Sequence, residues 1–261
     1  MHQNNLISKR EGLLVMDLEK RFGEIKAVNG IRAIFFPGKI TGIVGPNGAG
    51  KTTLFNLITG ELKPDKGRIF LNGEDITGLA PWRIARRGLS RLFQDVKIFK
   101  NMTVLENVLV SLQAPYQESP LFSILYPRKR KRIESSNIEE AEKWIEFVGL
   151  KEEKNKLGKE LSFGQQKLLS IARLLAGGFT TFLLDEPTAG VHPFMIKKIL
   201  ELIGKMTYTK KYTIVIIEHN LSVLLDIADW LYFMHEGKIA YFGIPKHVLS
   251  AREVKEKYIG F

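Results

Sequence analysis

The segment Gly45-Pro46-Asn47-Gly48-Ala49-Gly50-Lys51-Thr52-Thr53 limits what this chain can fold into more than any other stretch. It fits G-x-x-x-x-G-K-[ST], and its flanks give the pattern meaning. Apolar Ile40 to Val44 reads as a strand running into the loop, and Thr52 to Ile58 has the spacing of a helix leaving it. Glycines let the backbone curl so that successive N–H groups point inward at phosphate oxygens. The helix that follows turns its positive N-terminal end toward the same anion. Lys51 is then placed to reach β- and γ-phosphates, and the Thr52 hydroxyl to ligate Mg²⁺. Gly45, Asn47, Gly48, Ala49, Gly50, Lys51, Thr52 and Thr53 are the expected nucleotide contacts. A turn that merely happens to precede Lys-Thr-Thr is the plainer reading, and the strand before it and helix after it argue against that.

A second element belongs with the loop. Phe182-Leu183-Leu184-Asp185-Glu186 is an apolar strand ending in two carboxylates. A buried strand delivers Asp185 to a sheet edge, where it can hold Mg²⁺ directly or through water. Glu186, one residue further, can orient an attacking water and accept its proton. Alone, such a pair is more often an ordinary acidic turn, but a phosphate loop in the same chain favours the chemical role.

The rest of the chain supplies the framework. Leu13 to Leu18, Ile31 to Phe36 and Arg68 to Leu71 read as further strands, the last ending in the turn signal Asn72-Gly73. Strand, glycine loop and helix together open a P-loop fold. From Thr103 to Leu150 the pattern becomes helical, marked by Asn107, Leu109, Leu112 and later Ala141, Trp144, Ile145 and Val148. Between these helices lies QAPYQESPLFSILYPRKRKR, Pro-rich and then basic, so Met102 to about Gly149 reads as an insertion. Helices at Gln165 to Ala176 and about Phe194 to Met206 precede apolar strands at Thr181 to Leu184 and Thr213 to Ile217. Continuous apolar strands between helices are what a parallel sheet covered on both faces requires. Leu231 to Phe242 reads as a closing hairpin around Glu236-Gly237. The expected class is α/β: a P-loop NTPase core with a mostly parallel sheet, an N-terminal antiparallel β subdomain and an inserted α-helical subdomain.

Composition excludes several alternatives. With no cysteine, there is no disulfide, thiolate metal site or cysteine nucleophile. The N-terminal MHQNNLISKREG has no apolar run resembling a signal-peptide core, and nowhere do about 18 apolar residues run without charge. A formal charge of +11 favours anionic partners without choosing among nucleotide, headgroup and nucleic acid.

Leu161-Ser162-Phe163-Gly164-Gln165-Gln166, upstream of the acidic strand, resembles the LSGGQ signature of ABC ATPases. Three further family elements stand in the expected order along the chain. Phe22, in KRFGE, matches the aromatic that stacks on adenine. Gln94, in RLFQD, matches the Q-loop glutamine that senses the γ-phosphate, contributes to the metal site and contacts a membrane subunit. His219, in IIEHN, matches the switch histidine beside the γ-phosphate and catalytic carboxylate. Singly, Phe22 would more often be core, Gln94 a solvated polar residue and His219 a loop histidine; their order beside two phosphate motifs overturns those readings. The resemblance implies one nucleotide-binding domain over residues 1–261. Residues 12–101 and 178–261 form its α/β core, and 102–177 its helical signature subdomain. It also implies ATP and Mg²⁺ as cofactors, and head-to-tail pairing in which Ser162, Gly164 and Gln165 of one copy complete the nucleotide site of another. Glu186, His219 and Gln94 form the implied catalytic set; Thr52, Gln94 and Asp185 form the metal set. Two departures stand out: Phe163 where the pattern has glycine, and Pro187-Thr188-Ala189-Gly190-Val191-His192 without the usual aspartate.

The opening LEKRFGEIKAVNGI, the aromatic signature with Gln165-Gln166, the long insertion and the closing EKYIG most resemble the ATP-binding subunits of branched-chain amino acid importers. That resemblance implies integral-membrane permeases, a second cassette (identical or paralogous) and a solute-binding protein as partners, at the cytoplasmic face of the membrane. Related urea or lipopolysaccharide cassettes look similar. A soluble ATPase acting on nucleic acid or ribosomes is the alternative; neither a coiled coil nor a second cassette supports it, and no nucleic-acid partner is expected. The run Arg128-Lys129-Arg130-Lys131-Arg132 reads first as a solvated helix face, and second as a contact for anionic headgroups.

Overall fold

In a computed structural model the residues described are 12–93, 95–112 and 127–259. They divide into two compact units, one of residues 1–94, 180–188 and 200–261, the other of residues 95–179 and 189–199.

The first unit contains two sheets. β1 (Leu13–Phe22), β2 (Ile25–Phe35), β4 (Lys66–Leu71) and β5 (Glu74–Asp75) make an antiparallel sheet in the order β2-β1-β4-β5. β3 (Ile40–Val44), β6 (Leu89–Leu92), β7 (Thr181–Asp185), β8 (Thr213–Ile217), β9 (Trp230–His235) and β10 (Lys238–Gly243) make a second sheet in the order β10-β9-β3-β8-β7-β6. All its pairings are parallel except β9 with β10. β3, β7 and β8 are buried at every position, which is why they read as unbroken apolar runs. Helix α1 (Lys51–Ile58) buries Leu54, Phe55, Leu57 and Ile58 in a core shared with Leu13 and Val15 of β1 and Val215 of β8. Each such side chain contributes about 1.5–3 kcal/mol when fully buried. The Tyr232 hydroxyl accepts from Ile34 N at 3.1 Å and donates to Ile34 O at 3.2 Å, tying β9 to β2.

Register places the chemistry. Ile217, at the end of β8, pairs with both Ile43 and Asp185, so the three central strands end level and their following loops emerge together. Ligands of parallel sheets bind at this carboxyl edge.

The second unit is helical. α3 (Val104–Leu112), α4 (Pro127–Phe147) and α5 (Phe163–Ala176) pack on one another. Of the α3 residues that mark the helical spacing, Asn107 is buried with Val104 and Val108, while Leu109 and Leu112 are only half-buried. Asn107 sits inside because its amide is saturated by Phe99, accepting from its N–H at 2.8 Å and donating to its carbonyl at 2.9 Å. The helix expected at Phe194 to Met206 runs over Pro193–Lys210. No helix among the described residues is long and apolar enough to cross a membrane. Residues 113–126 of the Pro-rich insertion lie outside the described residues; within the basic run, Lys131 and Arg132 are exposed on α4.

Candidate active site

The loop after β3 is shaped by what surrounds it. Gly45 and Gly50 take φ of 152° and 98°. A Cβ at Gly45 would strike the Met234 carbonyl, and one at Gly50 the Ala27 carbonyl, so neither tolerates a side chain. The loop is fastened by the turn of the closing hairpin: Gly237 N donates to Ala49 O at 3.1 Å, and Asn29 N to Gly237 O at 2.8 Å. Lys51 is buried, and its ammonium donates to the Gly45 and Pro46 carbonyls at 2.7 and 2.9 Å. Burial pushes this lysine below its ordinary pKa, against the opposing pull of Glu186 and then Asp185.

A cavity of about 600 Å³ brings most of the expected residues together. Its wall includes Phe22, Asn47 to Thr53, Asp185, Glu186 and His219. Phe22 is 48% exposed, which rules out the core reading of this aromatic, and Lys20 Nζ stands 5.9 Å from its ring centre. Glu186 occupies the left-handed region at φ 47°, a conformation costing a non-glycine residue about 1 kcal/mol. Its N–H donates to Ile217 O at 2.9 Å, and its Oε1 lies 3.2 Å from His219 Nε2. Backbone outliers of this kind collect at functional sites. Asp185 Oδ2 accepts from Arg91 Nη2 at 2.6 Å.

Glu218 was not singled out by motif. It is buried, and its Oε1 accepts from Thr188 N at 3.0 Å and Thr188 Oγ1 at 2.6 Å. This clasp joins the turn two residues after Glu186 to the residue before His219. Ala27, Glu236 and Gly237 also line the cavity; the sequence places the last two in the hairpin turn and assigns none of the three a role at the site. Gln94 lies outside the described residues.

The signature residues stand in the second unit. Ser162 caps α5: its Oγ accepts from Gln165 N at 3.3 Å, while Gln165 Oε1 accepts from Ser162 N at 3.0 Å. Gln165 Nε2 also donates to Glu153 at 3.0 Å, so its side chain is engaged at both ends. Gly164 faces Met195, which a Cβ would crowd at 3.0 Å. Phe163 is exposed, with the buried Lys167 ammonium 5.6 Å from its ring centre. His192, near the place of the aspartate that this chain lacks, accepts from Phe194 N through Nδ1 at 3.4 Å.

Comparison with known proteins gives the family. The profile of the ABC transporter family matches residues 28–189. The high-affinity branched-chain amino acid transport ATP-binding protein LivG of Escherichia coli K12 is 36% identical over 248 residues, 95% of this chain and 97% of the relative. The probable branched-chain amino acid transport ATP-binding protein LivG of Methanocaldococcus jannaschii is 40% identical over 254 residues, 96% and 98% of the two chains. The crystal structure of a nucleotide-free ATP-binding cassette from an ABC transporter superposes with a TM-score of 0.82 at 40% identity, covering 96% of this chain and all of that one. The ADP conformation of a transporter cassette gives 0.82 at 39% identity, covering 96% and 99%. With a phosphate loop, an acidic strand end and a carboxylate–imidazole pair on one cavity wall, and relatives matched over nearly their full length, the chain belongs to the ABC transporter family as one of its ATP-binding, ATP-hydrolysing subunits.

Proposed function

We propose that the chain energises import of branched-chain or other amino acids through partner permeases, working as a pair of cassettes at the cytoplasmic face of the membrane. The names of the relatives at 36–40% identity support that solute class. The observation that carries the catalytic reading is the Glu186–His219 contact of 3.2 Å on the wall of the cavity that holds Lys51 and Thr52.

In this reading Phe22 stacks on adenine, and the loop N–H groups with Lys51 hold the β- and γ-phosphates. Glu186 orients the attacking water and takes its proton, while His219 holds that carboxylate beside the γ-phosphate. Gln94 senses the γ-phosphate. Ser162, Gly164 and Gln165 of one copy complete the site of the other, so that ATP closes the pair and hydrolysis reopens it. A solute-binding protein delivers cargo to the permeases.

The donors fit Mg²⁺. Thr52 and Asp185 are hard oxygen ligands on the same cavity, and the described residues contain no group of three or more His, Cys, Asp or Glu that could cage a metal alone. That matches an ion shared with phosphates. Bound there, Mg²⁺ would neutralise charge on the phosphate oxygens.

Glu186→Gln tests the reading. ATP binding should persist while steady-state hydrolysis falls about 10²–10⁴-fold; hydrolysis at the normal rate would remove Glu186 as the base. The same variant, tagged and extracted from native membranes with ATP and Mg²⁺, should carry polytopic membrane proteins with it. Recovery of ribosomal or nucleic-acid-bound proteins alone would leave the ATPase and remove the transport role.

A further inference from the structure

Asp185 is held by a cation that does not line the cavity. Arg91 lies on β6, paired opposite Leu183 of β7, and only 6% of its side chain is exposed. Besides the 2.6 Å bond from Nη2 to Asp185 Oδ2, Nη1 donates to Asn56 Oδ1 and lies 3.5 Å from Glu61 Oε2. The guanidinium carbon is 5.5 Å from the Phe55 ring centre and 4.9 Å from that of Phe93. The group is therefore fixed by hydrogen bonds, charge and aromatic faces at once.

What it joins matters more. Asn56 sits four residues after Thr52 on α1, one turn along the same helix face. A single buried guanidinium thus ties the helix that carries Thr52 to the strand end that carries Asp185. A buried ion pair contributes little net stability, since desolvating both charges offsets their attraction. Arg suits the task because its planar fork addresses two acceptors in fixed directions, which a lysine cannot do.

We propose that Arg91 is a positioning residue that sets the spacing of two of the metal donors, Thr52 and Asp185, and thereby the affinity for the divalent cation that accompanies the nucleotide. This inference rests on the reading of Asp185 as a metal-holding carboxylate. Partners behind a metal ligand commonly change metal affinity about 10–100-fold when removed.

The experiment is calorimetric titration of ADP, which is not hydrolysed, into the full chain in EDTA and again in Mg²⁺. The ratio of the two affinities measures what the metal adds. Arg91→Met should shrink that ratio about tenfold while metal-free ADP binding changes much less. Arg91→Lys, which keeps the charge without the fork, should recover only part. Asn56→Ala leaves the ion pair in place and should shrink the ratio in the same direction, which keeps the test open if Arg91→Met does not fold. A ratio unchanged in Arg91→Met and Asn56→Ala, or a larger one in Arg91→Met, would overturn the proposal; the larger one would mean that the guanidinium only repels the metal. Asp185→Asn separates the two levels of the argument. If it leaves the ratio intact, the reading of Asp185 falls and the role of Arg91 with it; if it collapses the ratio while Arg91→Met does not, only Arg91 is wrong.

Discussion

Thr188→Val is the substitution that most directly tests how the catalytic edge is built. Valine matches threonine in shape, so the change deletes one hydroxyl and little else. That hydroxyl donates to Glu218 Oε1 at 2.6 Å, with Thr188 5% and Glu218 3% exposed, so water cannot replace it without disturbing the packing. Hydrogen bonds to charged groups contribute about 1.5–3 kcal/mol, and the backbone N–H of Thr188 still reaches the same oxygen at 3.0 Å. The expected loss is therefore about 2 kcal/mol, which for a chain of this size lowers Tm by about 4–8 °C. Thermal melts followed by circular dichroism, without nucleotide, measure it. Because the clasp sits beside both Glu186 and His219, kcat for ATP should fall about tenfold with KM little changed, the mark of an interaction made in the transition state. A Tm within 1 °C of the parent would show that the hydroxyl–carboxylate bond is not held in solution. An unchanged kcat despite a lowered Tm would show that the clasp stabilises the edge without aligning it.

Other perturbations separate the roles of the remaining wall residues. Phe22→Ala should weaken ATP binding by about 1–3 kcal/mol, the range for base stacking on an aromatic ring. Because the ring is half-exposed, Tm should scarcely move, and a large drop would return Phe22 to the core. Gly50→Ala should destabilise the chain by at least about 1–2 kcal/mol through its φ of 98° and abolish ATP binding, read by melting and nucleotide titration. For Lys51 the sign follows from its depressed pKa: the folded state disfavours the ammonium, at a constant cost below the folded value. Stability rises as pH climbs from that value toward the unfolded one of about 10.4. Lys51→Met should lose nucleotide binding and also lose that alkaline gain, so denaturation curves of parent and variant should differ in slope only in that window.

The sequence revealed those parts of the fold in which burial leaves a periodic trace. β3, β7 and β8 are covered on both faces, and the closing hairpin is centred on Glu236-Gly237 as read. β1 extends four residues beyond the expected end at Leu18, because register shifts after Val15, Leu18 and Lys20 break the two-residue alternation while the ladder continues. β2 begins at Ile25 rather than Ile31, its first half carrying Lys26, Asn29 and Gly30. β6 has only Leu89–Leu92 and α2 only Pro81–Ala85, too short for any period to register. On α3 the buried face joins Asn107 to Val104 and Val108 rather than to Leu109 and Leu112, and the polar Asn107 goes inside because its amide is satisfied locally.

At the site the dividing line is different. Residues that would meet a phosphate or a water directly must be a glycine, lysine, threonine or carboxylate at fixed spacing, so Lys51, Asp185 and Glu186 leave a motif. Residues that hold those groups need only be near them in space, and their partners lie far away in the chain. Gly237 fastens Ala49, Glu218 fastens Thr188, and Arg91 fastens Asp185. No spacing rule connects such pairs; what connects them is the order β9-β3-β8-β7-β6, with β3, β7 and β8 ending level at Ile217. Once that parallel order is known, the loop after each strand must open on the same edge, and a buried charge on any of them must find its partner there. The holding residues are thus legible at the level of topology, and a motif search, which reads one segment at a time, passes over them.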